Sequence, residues 1–214
     1  MKPKTQFLYF LFTALLLEGC APYMTQSQNV SGQKAPYSKI LVITRVQNRI
    51  ARSLSEQDIA AALQEKGIPA VACLKNEIEV PMEQELSPEE RAALKQELLD
   101  MGFDGVLVTH LVDTEQYKEV IPRGVYASTD PYNYGQFGYY WTYYPVTDWA
   151  PGTVVEGTRF ELESAFYNLK TDPGKNLQWI GRFKLEDPED IRKTSQRFAR
   201  EVVNTLAAES ISKR

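Results

Sequence analysis

Apolar positions along the chain alternate between two periods. Lys39 to Thr44 (KILVIT) is a compact β-branched run and predicts a buried strand. A polar loop, Arg45 to Arg49, follows. Ile59, Ala62, Leu63 and Lys66 then recur at helical spacing. Ser55 is placed to start that helix, with Asp58 three residues on and Leu54 and Ile59 where a hydrophobic staple would put them. Gly67 and Pro69 end it. Ala70 to Leu74 predicts a second strand, and Glu77 to Glu85 is acidic and irregular. Ser87-Pro88-Glu89-Glu90 opens a second helix, with a capping Ser, Pro at the first helical position and acids in the first turn. Arg91, Leu94, Leu98 and Met101 share a face of it, and Gly102 stops it. Gly105 to Val112 is a third strand. Helices alternating with buried strands predict parallel pairing through right-handed crossovers, β-α-β-α-β over residues 39–112.

Residues 113–152 break this pattern. Between Tyr126 and Trp149 stand Tyr132, Tyr134, Phe137, Tyr139, Tyr140, Trp141, Tyr143 and Tyr144, with Gly, Pro, Asp and Asn among them. The stretch is too irregular for a helix and too rich in turn formers for one long strand. Thr153 to Leu169 alternates again, with Phe160, Leu162 and Phe166 facing one way and Glu161, Glu163 and Tyr167 the other. Asp172-Pro173-Gly174 is turn chemistry, and Leu177, Trp179, Gly181 and Phe183 share a face of the next strand. The two strands make an antiparallel hairpin. Asp187 to Asp190 caps a last helix, in which Ile191, Phe198, Val202 and Leu206 form the apolar stripe. The fold class is α/β: β-α-β-α-β, an antiparallel hairpin and a C-terminal helix on one mixed sheet. Residues 39–212 form a single domain with an aromatic-rich insertion at 113–152.

The start of the chain follows other rules. Lys2 and Lys4 precede an apolar run from Phe7 to Leu17, too short to span a bilayer, which takes roughly 20 residues. This is the layout of a signal peptide. Leu17-Glu18-Gly19-Cys20 resembles the bacterial lipobox. The resemblance implies cleavage after Gly19, so that 1–19 is a lipoprotein signal peptide, and acylation of Cys20 as the membrane anchor. Glu18 departs from the usual pattern of that motif. Two or three acyl chains hold a protein stably at a membrane, and Ala21 is not the Asp that resembles an inner-membrane retention signal. The expected location is therefore the periplasmic face of the outer membrane. Residues 20–38 read as a lipidated tether, polar and aperiodic, with a reach of roughly 20–25 Å for the 17 residues 21–37. Cleavage leaves Cys73 without a disulfide partner, in an apolar run that suits a buried thiol.

The order of elements is similar to the small α/β domain at the amino end of TolB-type periplasmic proteins, and to envelope lipoproteins that activate penicillin-binding proteins. The matching stretches are Ile40-Leu41-Val42 with Val46-Gln47-Asn48-Arg49, Gly102 to Val108, and Leu169-Lys170-Thr171 leading to Leu177-Gln178-Trp179-Ile180-Gly181. They span about 39–112 and 153–208. The resemblance implies a TolB N-terminal-like fold in the cell envelope. The aromatic insertion and the short tether depart from it.

Candidate chemistry is sparse. The formal net charge of −4 and the lack of a basic stripe argue against nucleic acid. His110 is the single imidazole, mid-strand beside Val106, Val108 and Val112, and reads as a satisfied, partly buried residue. No Gly-x-Ser-x-Gly, HExxH, Cys-x-x-Cys or phosphate loop occurs. Glu161 and Glu163 share a strand face, as a carboxylate hydrolase would need, but so does any solvated hairpin. No enzyme activity, metal or cofactor is expected. The aromatic segment is the strongest signal, because Tyr and Trp dominate interface hot spots and also suit bilayer interfaces. Its candidate binding residues are Tyr132, Tyr134, Tyr139, Tyr140, Trp141, Tyr143, Tyr144 and Trp149. These rings could equally pack back on the domain's own sheet. The functional expectation is a membrane-anchored, non-catalytic accessory module of a bacterial envelope assembly with an envelope-protein partner. The alternative is a binder of peptidoglycan, saccharide or lipid that uses the same rings as stacking platforms.

Overall fold

The computed structural model describes residues 22–78, 80, 86–121, 127–128, 146–147, 153–172 and 174–212. In chain order the elements are β1 (Met24–Asn29), β2 (Ile40–Arg45), α1 (Arg49–Glu65), β3 (Ala70–Ala72), a 3-10 turn (Leu74–Asn76), α2 (Pro88–Asp100), β4 (Gly105–Ile121), β5 (Ala127–Ser128), β6 (Val146–Thr147), β7 (Thr153–Asn168), β8 (Leu177–Glu186) and α3 (Ile191–Glu209). Six strands form one mixed sheet in the order β1-β8-β7-β4-β2-β3, while β5 and β6 pair with each other. β2 runs parallel to β3 and β4, and the β4–β7 and β7–β8 pairs are antiparallel. This is the expected mixed α/β architecture.

α1 and α3 cover one face of the sheet. Ile40, Val42, Leu107, Phe166, Trp179 and Phe183 from the strands meet Ile59, Leu63, Phe198, Val202 and Leu206 from the helices. α2 covers only part of the other face, where Leu98 and Phe103 meet Leu41, Ile43, Cys73, Val106 and Leu169. β2 lies between helices on both sides, which explains its unbroken apolar run. Cys73 is buried, and burial first, then the Glu56 charge, pushes its thiol up to about 11.

Asp104 fixes the entry to this core. Its carboxylate accepts the N–H groups of Ser38 at 2.9 Å and Lys39 at 3.1 Å and pairs with the Lys170 ammonium at 3.0 Å. Burial pushes its pKa up, but the Lys39 N–H, Lys170 and Ser38 outweigh that and leave it below the ordinary value.

Several boundaries differ from the sequence reading. The tether expected over 20–38 is shortened, because Met24–Asn29 is an edge strand on β8. Its sequence, MTQSQN, has no apolar alternation. It is held instead by backbone pairing and by polar contacts to α3. Glu201 accepts the N–H of Tyr23 at 2.6 Å and of Met24 at 3.0 Å, and Arg197 lies over the Tyr23 ring at 4.1 Å. Ser27 and Asn29 both bond Glu209.

α1 begins six residues before Ser55. Asn48 is its cap and accepts the N–H of Ile50 and Ala51. Ser55 faces inward and shares a hydrogen bond with the Thr44 hydroxyl at 3.1 Å. β3 ends at Ala72, where the chain turns to present Leu74 N–H to a buried carboxylate. Ile191 is exposed, so the α3 stripe starts one turn later than expected.

Candidate functional site

The insertion expected over 113–152 is narrower than its limits suggested, because β4 continues to Ile121 and β7 starts at Thr153. Neighbouring strands cover only part of this pair. β2 stops at Arg45 beside His110, and β8 stops at Glu186 beside Arg159. Beyond those points lie the pairs Gln116–Thr158, Tyr117–Gly157, Lys118–Glu156, Glu119–Val155, Val120–Val154 and Ile121–Thr153, with no third strand beside them among the described residues. They make a two-stranded ribbon about 20 Å long at roughly 3.4 Å per residue. A lone hairpin is marginally stable, so its root needs fastening.

Asp187 supplies that fastening from the turn after β8. It sits at φ 45°, a left-handed conformation that aims its carboxylate back at the ribbon. It accepts the Thr158 N–H at 2.6 Å and the Tyr117 hydroxyl, and its own N–H donates to Thr158 C=O at 2.9 Å. Arg159 lies over the Tyr117 ring at 4.7 Å and bonds Glu115 and Glu186, each at 2.9 Å. The hydrogen bond from Tyr117 holds the Asp187 carboxyl below its ordinary range, and the same bond raises the Tyr117 phenol. Gly157 makes room for this cluster. A Cβ there would stand 2.3 Å from Asp187 Oδ1 and 2.6 Å from the Tyr117 ring.

Gly157→Ala should therefore release the root without disturbing the core. Amide exchange in 116–121 and 153–158 is expected to quicken about tenfold, equivalent to about 1.4 kcal/mol. Exchange in β2 and α3 is expected to stay unchanged. Uniform exchange rates in variant and parent, measured by mass spectrometry, would refute this role for Asp187 and Tyr117.

Inward of the ribbon, the open sheet face carries a charged row in register: Arg45 on β2, His110 on β4, Glu163 on β7 and Arg182 on β8. Glu163 accepts from Arg182 at 3.0 Å, and His110 Nε2 stands 3.7 Å from its other oxygen. Ser164, next to Glu163 in sequence, points to the opposite face, where its hydroxyl meets that of Thr109 at 2.8 Å, buried. The sheet therefore separates this hydroxyl from the His110 imidazole. Glu161 continues the charged face opposite Asp113 and Lys184. Among the described residues no cluster of His, Cys, Asp or Glu is placed to hold a metal ion, and no helix is long and apolar enough to cross a membrane.

The predicted site residues Cys20, Tyr132, Tyr134, Tyr139, Tyr140, Trp141, Tyr143, Tyr144 and Trp149 lie outside the described residues. The root cluster was missed by sequence reasoning. Its one legible signal is Gly157, since a glycine inside a strand marks a close approach. Asp187 reads in sequence only as part of a helix cap.

No protein-family model matches the chain, and no curated protein does. Solved structures resemble it at low identity. A PelC dodecamer from Paraburkholderia phytofirmans is 11% identical, with 85% of this chain and 96% of that chain covered and a TM-score of 0.44. A second PelC dodecamer crystal form from the same organism is 9% identical, with 88% and 97% covered and a TM-score of 0.43. Lipoprotein GNA1162 from Neisseria meningitidis is 12% identical, with 80% and 99% covered and a TM-score of 0.41. At these values function has to be argued from the chain's own residues.

Proposed function

We propose that this chain is a bacterial lipoprotein, acylated on Cys20 and held at the periplasmic face of the outer membrane, whose folded part is a non-catalytic interaction module of a cell-envelope assembly. The observation that carries the reading is where the aromatic-rich segment joins the fold. Positions 122–152 connect the two strands of a fastened ribbon at its outer end, where Ile121 pairs with Thr153. A segment dense in Tyr and Trp has the composition of a contact surface, and a ribbon clear of the body gives it reach. The lipobox-like Leu17 to Cys20 supports the anchor. The TolB-type kinship remains part of the proposal on topology alone.

The test has two readouts. The intact mass of the membrane-fraction protein is expected to correspond to a chain starting at Cys20 and carrying two or three acyl chains, lost in Cys20→Ala. Envelope proteins cross-linked to the parent chain are expected to disappear when 126–149 is replaced by a short turn that leaves the ribbon intact. An unacylated mass overturns the anchor, and an unchanged set of cross-linked proteins overturns the interaction module.

A further inference from the structure

We propose that the outer end of the β4–β7 ribbon lies in the headgroup layer of the same bilayer that holds Cys20. This rests on the anchor reading above and deepens it, because it sets which end of the domain faces the membrane.

The first argument is direction. β1 enters the sheet antiparallel to β8, with Met24 opposite Phe183, and Tyr23 C=O accepts the Lys184 N–H at 2.7 Å. Residues before Tyr23 therefore leave the sheet at the Glu186 end of β8. The ribbon leaves from that same end, since Arg159 on β7 pairs with Glu186 and the strand extends outward to Thr153.

The second argument is length. Cys20 is three residues before Tyr23, a reach of about 10 Å when fully extended. From Glu161, which pairs with Lys184, to Thr153 the ribbon extends eight residues, about 27 Å. The projection on the anchored side thus exceeds the leash by more than twofold, which brings the ribbon's end to the lipid whenever the sheet stands above its anchor.

The third argument is composition along the ribbon. Its root is charged and tied to the body, with Glu115, Arg159, Glu186 and Asp187. Midway stands the Lys118–Glu156 pair at 2.5 Å. The last three pairs bring together Glu119–Val155, Val120–Val154 and Ile121–Thr153. Val154 is 56% exposed and Val155 36% exposed, on opposite faces of the ribbon. Apolar β-branched side chains open to solvent on both faces of a ribbon tip are covered by no part of the described fold. Charges one step inward match a headgroup layer above an acyl region.

The full lipidated chain tests this. Cys73→Ala removes the buried thiol, and acylation blocks Cys20. Val155→Cys then carries an environment-sensitive fluorophore, with Lys175→Cys at the opposite end of the sheet as the comparison. In phosphatidylethanolamine–phosphatidylglycerol vesicles, the label at 155 is expected to shift to the blue and lose emission to lipids brominated high on their acyl chains. The label at 175 is expected to do neither. Lys118→Cys provides a second position should Val155→Cys fail to fold. Protein that floats with the vesicles while its label at 155 or 118 stays in water overturns the inference but leaves the anchor standing. Equal quenching at 175 overturns it as well. Shielding of the 155 label from iodide in the unlipidated Cys20→Ala chain in buffer would mean that a second copy covers the tip, and would overturn it too. Failure to float overturns the anchor and this inference together.

Discussion

Replacing Glu56 with alanine is expected to lower the unfolding free energy by roughly 3–5 kcal/mol, the cost of breaking a buried charge pair by removing one partner. Glu56 is on α1 and has no solvent exposure. One oxygen accepts the Thr44 N–H at 3.1 Å and Arg52 Nε at 3.0 Å, and the other accepts the Leu74 N–H at 2.6 Å. Thr44 lies near the end of β2, and Leu74 just past β3. One carboxylate thus stitches two parallel strands to the helix between them. Alanine would leave a mostly buried guanidinium and two backbone donors without this acceptor. Glu56→Gln keeps a single acceptor oxygen and should lose less. Urea unfolding followed by far-ultraviolet dichroism checks this, with a lower midpoint at unchanged slope as the expected result. A Glu56→Ala midpoint equal to the parent's would refute the account. Against a total stability of about 5–15 kcal/mol typical of domains, the loss is a large fraction of what holds the fold.

Gly181→Ala is the second large effect, and its cause is the reverse: a surplus of atoms. Its Cβ would stand 2.4 Å from Trp179 Cη2 and 2.7 Å from Cζ2, with Phe183 at 3.1 Å. Trp179 is fully buried, and its indole N–H donates to Glu209 at 2.8 Å, so the ring cannot swing away without giving up that bond. Overpacking of this kind costs typically 1–3 kcal/mol. The cause can be isolated by a double-mutant cycle. In a Trp179→Phe background the ring is shorter, and the added methyl should be tolerated, giving a coupling energy of roughly 0.5–3 kcal/mol. Strict additivity of the two substitutions would show that the clash is not with the indole.

The parts of the fold that could be read from sequence are those whose signals are local. The Ser87 capping box forms as expected, with Pro88 at the first helical turn. Gly67 and Gly102 stop their helices at φ 76° and 82°. Asp190 caps α3. The parts that could not be read depend on distant partners. β1 has no hydrophobic period because its strand character comes from β8 and from Glu201 and Glu209 on α3. The start of α1 was misplaced because Ser55 looks like a cap while its hydroxyl is committed to Thr44. The outer half of β4 lost its alternation past Val112 because a free ribbon has no core face and relies on cross-strand pairs such as Glu115–Arg159. The aromatic segment was visible from composition alone. That it joins the fold at the end of a ribbon required the strand register.

The position of β1 also dictates an order of events. Glu201 holds the Tyr23 and Met24 amides across 178 and 177 residues, and β8 must exist before β1 has an edge to join. Contacts this distant in sequence close late. The segment from Tyr23 to Asn29, near the amino end of the sheet in sequence, is therefore among the last to be ordered: it joins only once β8 offers its edge and α3 brings Glu201 and Glu209 into place.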